Sequence, residues 1–277
     1  MIKWLLLFVG AAVFFSWVKR KSLTQAGQPR ADSPLPAKPP KASAPEQMVP
    51  CHCCQVHLPK SEAFVNEGRY YCSLEHGRQI DQDGWIGRAL WRASPNADAR
   101  PSGCAVDLVL IHHIGLPPGG FQAGALLSGI PAQHVVELFQ NRLDPSEHPY
   151  FAQIANERVS SHFVIARDGQ LIQLVSTQDR AWHAGKSTFG ERERCNDFSL
   201  GIELEGDGDT PFEQAQYEAL AGLTSAILEK YPQAVFAGHS DVAPGRKTDP
   251  GTSFDWSRFQ KNNALPMEKF PFGVQRR

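Results

Sequence analysis

Three segments of this 277-residue chain place polar side chains where hydrophobic patterning alone does not account for them. His112 and His113 close the apolar run VDLVLIHHI, Val106 to Ile114. Alternate residues of a strand face opposite sides, so only one of the two imidazoles can point into a given site. Glu203 lies in FSLGIELE, where Leu200, Ile202 and Leu204 form one face and Ser199, Gly201, Glu203 and Glu205 the other. That alternation predicts Glu203 away from the core side, on an open or functional face. The third segment is GHSDVAPGRKTDPG, in which His239 ends a short strand and Lys247 and Asp249 follow in a Pro/Gly-rich loop.

Two imidazoles and a carboxylate from separate elements suit a Zn²⁺ ion and leave a fourth position for water. Water activated in this way is a nucleophile near neutral pH. Amide hydrolysis then needs a base that moves the water's proton to the leaving nitrogen, and a cation that steadies the oxyanion. Glu203 and Lys247 have the residue types for those two tasks. Singly, each residue also has a structural explanation, a hydrogen-bonded strand-end histidine or a solvated loop lysine. Spacing alone therefore leaves zinc hydrolysis as one possibility among others.

A second group of ligand types lies upstream. Cys51 and Cys54 form a C-x2-C knuckle, and Cys72 with His76 forms C-x3-H beyond a hairpin-like turn at Asn66-Glu67-Gly68. Three thiolates and one imidazole match a closed, structural Zn²⁺ ribbon. Cys53 and His57 could exchange with members of that set. The alternative is a disulfide pair in an exported domain; a reducing compartment and the small size of the ribbon, which needs a metal to fold, weigh against it.

These residues must be carried by a scaffold. HFVIARDGQLIQLV, His162 to Val175, reads as a hairpin turning on Asp168-Gly169. A helix is predicted to begin at Thr210, with Pro211 in its first turn and Glu213 completing a capping box. Its apolar stripe is Phe212, Ala215, Leu220, Leu223, Ile227 and Leu228. AVFAGH supplies a further strand, delivering His239. Interleaved strands and helices predict an α/β domain, a mixed sheet covered by helices, over residues 81–265, with a short tail at 266–277. A net charge of −1 offers no field for nucleic acid, which is not expected as a partner.

The first fifty residues differ in composition. Trp4 to Val18 is an uncharged apolar stretch followed by Lys19, Arg20 and Lys21, the pattern of a membrane anchor over 1–21. It is shorter than the ~20 residues that span a bilayer comfortably, but flanking tryptophans and snorkelling lysines extend its reach. Positive charge behind the run predicts a single pass of the inner membrane, with everything after Lys21 in the cytoplasm. Residues 22–48 are Pro-rich and nearly devoid of large apolar side chains, a disordered tether. Residues 49–80 are the zinc-ribbon module.

The segments LIHHIGLPPGGF, ERVSSHFVI, AWHAGKSTFGERERCNDFSLGIELEG and GHSDVAPGRKTDPG resemble the AmpD-type N-acetylmuramoyl-L-alanine amidases, in order, from about Gly84 to about Phe259. The anchor, tether and knuckle resemble short membrane-anchored, metal-binding proteins of proteobacteria. The amidase resemblance implies the mixed-sheet zinc amidase fold shared with peptidoglycan recognition proteins. It implies Zn²⁺ on His112, His239 and Asp249, Glu203 as base, and Lys247 as oxyanion partner. It places Arg158, Trp182 and His183 where the sugar and peptide pocket is shaped. His113 stands where the family usually has Asn, which alters a substrate contact. The implied substrate is a muropeptide, cut between N-acetylmuramic acid, preferably in its 1,6-anhydro form, and L-alanine during wall recycling. A monomer in the cytoplasm with Cys104 and Cys195 as free thiols is expected. The competing functions are an exported amidase acting on intact wall, and a non-catalytic muropeptide receptor.

Overall fold

The computed structural model describes residues 46–120 and 132–275. The expected anchor and the expected tether up to residue 45 lie outside them. Among the described residues no helix is long and apolar enough to cross a membrane.

The Cys-rich block folds as two antiparallel hairpins, β1 (Met48–Pro50) with β2 (His57–Pro59) and β3 (Phe64–Asn66) with β4 (Arg69–Tyr71). Glu67 and Gly68 both have positive φ, as a two-residue hairpin turn of this twist requires. Val49, Cys51, Leu58 and Tyr71 form a small core of their own.

The block is nonetheless joined to the larger domain. Asp81, 1% exposed, accepts hydrogen bonds from Arg69 Nη1 (2.9 Å) and the Tyr71 hydroxyl (3.0 Å). Lys230 donates to the Asp81 carbonyl and Gln79 to Glu229, so Gln47–Arg277 forms one compact unit.

After the ribbon come β5 (Leu90–Trp91), β6 (Ala97–Ala99), β7 (Leu108–Ile114), α1 (Gln133–Phe139), α2 (Phe151–Ile154), β8 (Phe163–Ile165), β9 (Leu171–Gln173) and β10 (Asp179–Ala181). The chain continues through β11 (Thr188–Phe189), β12 (Arg192–Glu193), β13 (Ser199–Glu205), α3 (Gln214–Lys230), β14 (Val235–Gly238), α4 (His239–Val242) and α5 (Trp256–Asn262). The main sheet runs β14-β7-β13-β8-β9-β5. Its first four strands are mutually parallel, and β9 turns back antiparallel to β8. The hairpin turns at Gly169, where φ is +86°.

Central parallel strands are covered on both faces, hence the unbroken apolar run in β7. Val109, Ile111, Leu200 and Ile202 pack on Leu220, Leu223 and Ile227 of α3. On the other face, Leu108 and Leu110 meet Cys195, Phe198 and Ala237, while Val164 and Ile172 meet Val135 and Phe139 of α1.

Three sequence expectations are corrected. The long helix begins at Gln214, not Thr210. The Asp207 carboxylate accepts from the Thr210 backbone N–H (2.7 Å) and hydroxyl, which holds the chain in a local turn that competes with helix. Glu213 becomes the N-cap, its backbone N–H donating to Gln216 Oε1 (3.0 Å), and Phe212 before it joins Tyr217 in the core. Second, of the open or functional face expected for Glu203, openness is not found, because all seven residues of β13 are buried. Third, the segment expected as a tail carries Phe270 into the core, stacked on Phe236 at 6.1 Å between ring centroids.

Candidate active site

The sheet register assembles the site. In the parallel pairing of β13 with β7, Glu203 stands opposite His112. On the other side of β7, Gly238 is the last partner of β14, opposite Ile111, and the next residue, His239, opens α4 beside His112. The loop after α4 returns Asp249 to the same point, anchored where the Ser240 N–H donates to the Asp249 carbonyl (2.9 Å).

His112 Nδ1 lies 2.8 Å and His239 Nδ1 3.0 Å from Asp249 Oδ2. The two rings meet edge-on with centroids 4.5 Å apart. His112 and His239 are 2% exposed and Asp249 8%. Each imidazole is held from behind. His239 Nε2 donates to the Ala184 carbonyl (3.0 Å), and His112 Nε2 lies 3.0 Å from His183 Nδ1. With both Nε2 atoms serving as donors, both Nδ1 lone pairs face the Asp249 carboxylate. Three acceptors thus converge on one point, a donor set that fits a Zn²⁺ ion. Burial lowers the His112 pKa to about 4, keeping the imidazole neutral as a ligand must be.

Glu203 is 7% exposed, and its Oε2 has no hydrogen-bond partner among the described residues. Burial, reinforced by the charge of Asp249 and opposed by that of Lys247, pushes its pKa well above the ordinary glutamate value. A buried carboxyl without a structural partner and with raised proton affinity has the properties of a general base. Lys247 is exposed on the loop between His239 and Asp249, and its charge also acts on His112.

Strand alternation separates the adjacent histidines. His113 faces away from His112 and against Gly208, in a cavity of about 870 Å³ that Lys247, Asp207 and Trp256 also line. Arg158 donates to the Ala155 and Glu157 carbonyls, and the Trp182 indole N–H to Asp98, so neither bonds to the ligand trio.

His183, expected in the substrate pocket, stands behind His112. Its Nε2 is 3.3 Å from the Ser199 hydroxyl, and Asn196 Oδ1 accepts the backbone N–H groups of His183 and Ala184. A Cβ on Gly201 would come within 2.6 Å of the His183 ring, so glycine at that position makes room for it. Ser199, Asn196 and Arg246, which donates to the Ala184 carbonyl (2.7 Å), were not singled out from sequence. The available signal was the small, polar alternation Ser199-x-Gly201 on the face of Glu203.

The ribbon residues also converge. Cys54 and Cys72 sulfurs are 3.8 Å apart, and His76 Nδ1 lies 3.6 Å from Cys51 Sγ and 3.0 Å from Cys72 Sγ. Two thiolates on one tetrahedral Zn²⁺ at ~2.3 Å stand roughly 3.8 Å apart, so the spacing fits. Burial opposes ionisation of Cys51, but the backbone N–H groups of Cys54, Cys72 and Cys53, together with His76, lower its pKa to about 6. Cys53 turns away and donates to Gln79 Oε1 (2.9 Å); burial raises its thiol to about 11. His57 lies outside the cluster.

The family model described as N-acetylmuramoyl-L-alanine amidase matches residues 102–252. The chain is 47% identical over 180 residues to the 1,6-anhydro-N-acetylmuramyl-L-alanine amidase AmpD of Citrobacter freundii, covering 64% of this chain and 91% of that protein. It is 46% identical over 181 residues to AmpD of Escherichia coli (strain K12), covering 65% and 94%. A crystal structure of an AmpD derivative superposes with a TM-score of 0.61 at 46% identity, covering 65% of this chain and 97% of that one.

Proposed function

This chain belongs to the N-acetylmuramoyl-L-alanine amidase family, and we propose that its preferred substrate is a 1,6-anhydro muropeptide, cut with the help of Zn²⁺ on His112, His239 and Asp249. The reaction is hydrolysis of the amide between N-acetylmuramic acid and L-alanine, in peptidoglycan recycling. The observation that carries this assignment is the convergence of three metal-type acceptors beside the buried Glu203, whose Oε2 has no hydrogen-bond partner among the described residues.

When bound, Zn²⁺ supplies a Lewis acid that activates water and polarises the scissile carbonyl. Glu203 takes the proton of the attacking water and returns it to the departing L-alanine nitrogen, for which its raised proton affinity suits it. Lys247 presents its ammonium to the oxyanion. His183 and Ala184 hold the outer nitrogens of the two histidines and so keep their inner lone pairs turned toward the ion. His113, Arg158 and Trp182 are assigned to substrate contacts, His113 on the strength of the cavity it shares with Lys247.

A second, structural Zn²⁺ belongs on Cys51, Cys54, Cys72 and His76, supported by their spacing. The apolar run before Lys19-Arg20-Lys21 supports a single-pass inner-membrane anchor with the catalytic domain in the cytoplasm. A C-terminal reporter active only outside the cytoplasm would overturn that placement.

The test of substrate is hydrolysis of anhydro-muramoyl tripeptide against intact sacculi, with and without chelator. Chelator-sensitive release of tripeptide from the small substrate, with sacculi poorly cut, is expected. Preference for sacculi would instead identify a wall-degrading amidase.

A further inference from the structure

A third convergence of metal-type ligands lies apart from both sites described so far. His134 and Glu137 stand one turn apart on α1, and Glu147 comes from the following loop. One ring nitrogen and one oxygen from each carboxylate lie within 4.8 Å of one another. That loop is held locally, the Asp144 carboxylate accepting from the Ser146 N–H (2.8 Å) and hydroxyl (2.7 Å). The carboxylate of Glu137 is steadied by Gln133 Nε2 (2.7 Å).

The orientation of His134 is what distinguishes this cluster from an ordinary surface charge group. Its ring packs on Phe151 with centroids 4.8 Å apart, and its side chain is 25% exposed. Nδ1 is directed at the Leu116 carbonyl, 3.4 Å away, outside the cluster. With Nδ1 as donor, Nε2 carries the lone pair, yet it lies 3.1 Å from Glu147 Oε2, another acceptor. Such a pair needs a proton or a cation between its members. A single proton offsets only one of the two carboxylates, whereas a divalent cation offsets both. The outer nitrogen tied to a carbonyl and the inner one facing a carboxylate repeats the arrangement of His239 with Ala184 and Asp249.

We propose that His134, Glu137 and Glu147 form a peripheral site for a borderline divalent transition metal such as Zn²⁺, Co²⁺ or Ni²⁺. One imidazole and two carboxylates favour that class over Mg²⁺ or Ca²⁺, which prefer all-oxygen shells. Glu147 is half exposed, so water completes the coordination and the ion exchanges readily. Its effect is mechanical: it fastens α1 to the Asp144–Glu147 turn and, through His134, to the Leu116 carbonyl just beyond β7.

The test uses the full chain loaded with zinc and freed of loose metal, titrated with Co²⁺. Visible absorption and calorimetry follow uptake, and metal analysis verifies that the original zinc is retained. One further equivalent of low-micromolar affinity is expected, with the weak bands of a five- or six-coordinate nitrogen and oxygen shell. It should vanish in His134→Ala and weaken at least tenfold in Glu147→Gln, both keeping wild-type circular dichroism and muropeptide hydrolysis. Absence of a further equivalent, or an equivalent undiminished in both variants, overturns the proposal. So does a His134 imidazole resonance that is untouched by Co²⁺.

Discussion

Glu203 and His112 face each other across adjacent parallel strands, register partners with side chains on the same side of the sheet. The pairing of β13 with β7 thereby sets the distance between the proposed base and the proposed metal ligand without any loop intervening. Rigid strands position such groups more precisely than loops do. Lys247 and Asp249, by contrast, depend on the segment after α4.

The adjacent histidines should separate cleanly on substitution. His112→Ala is expected to lose the catalytic zinc and activity together, since its Nδ1 is one of the three converging acceptors. His113→Asn should retain the zinc, because His113 points to the other side of the strand; any effect should fall on KM. Metal content beside Michaelis parameters checks both. A zinc-free His113→Asn protein would mean the strand register is wrong by one residue.

Glu203 makes a signed prediction about stability in the metal-stripped chain. Its folded pKa lies well above the unfolded value of ~4.3. Between those two values the folded state binds more protons than the unfolded state, so stability falls as pH rises through that window. Glu203→Gln removes the penalty and should raise Tm at neutral pH, with the difference disappearing at acid pH. A Tm gain that grows as pH falls would contradict the assignment.

His183 should behave as a positioning residue. His183→Ala is expected to weaken zinc affinity by roughly 10- to 100-fold, the usual consequence of losing a partner behind a ligand. Activity should recover in excess zinc, and His183→Gln, which can still accept from His112 Nε2, should lose less. A His183→Ala enzyme with undiminished affinity but raised KM would return the residue to the substrate pocket.

The ribbon should account for one zinc per chain. Cys72→Ser is expected to lower zinc content from two to one and to reduce Tm, because the hairpins bearing Arg69 and Tyr71 hold the buried Asp81. A Cys72→Ser protein that still binds two zinc ions would remove Cys72 from the ligand set.

Much of this architecture was legible in particular residues. VDLVLIHHI became β7 because an unbroken apolar run suits a strand covered on both faces, and FSLGIELE became β13 from its strict alternation. That same coverage is why exposure could not be inferred from alternation: the polar face of β13 is as buried as the apolar one. The start of α3 was misplaced because Thr210-Pro211 resembles a cap, whereas the Asp207 side chain holds Thr210 in a turn of its own. The choice among Cys51, Cys53 and Cys54 also needed three dimensions, since only the direction of each sulfur separates a ligand from a thiol bonded to Gln79. The AWHAG motif draws attention to His183, but its place behind His112, 71 residues away, depends on the room left by Gly201 on β13.

The most direct test of a zinc amidase with Glu203 as its base is to measure zinc content and turnover of anhydro-muramoyl tripeptide on one preparation of Glu203→Ala. A base is not a ligand, so zinc should remain at the wild-type level while kcat falls by ~10²-fold or more. Zinc lost together with activity would make Glu203 part of the metal shell, and wild-type turnover would mean that the proton travels by another route.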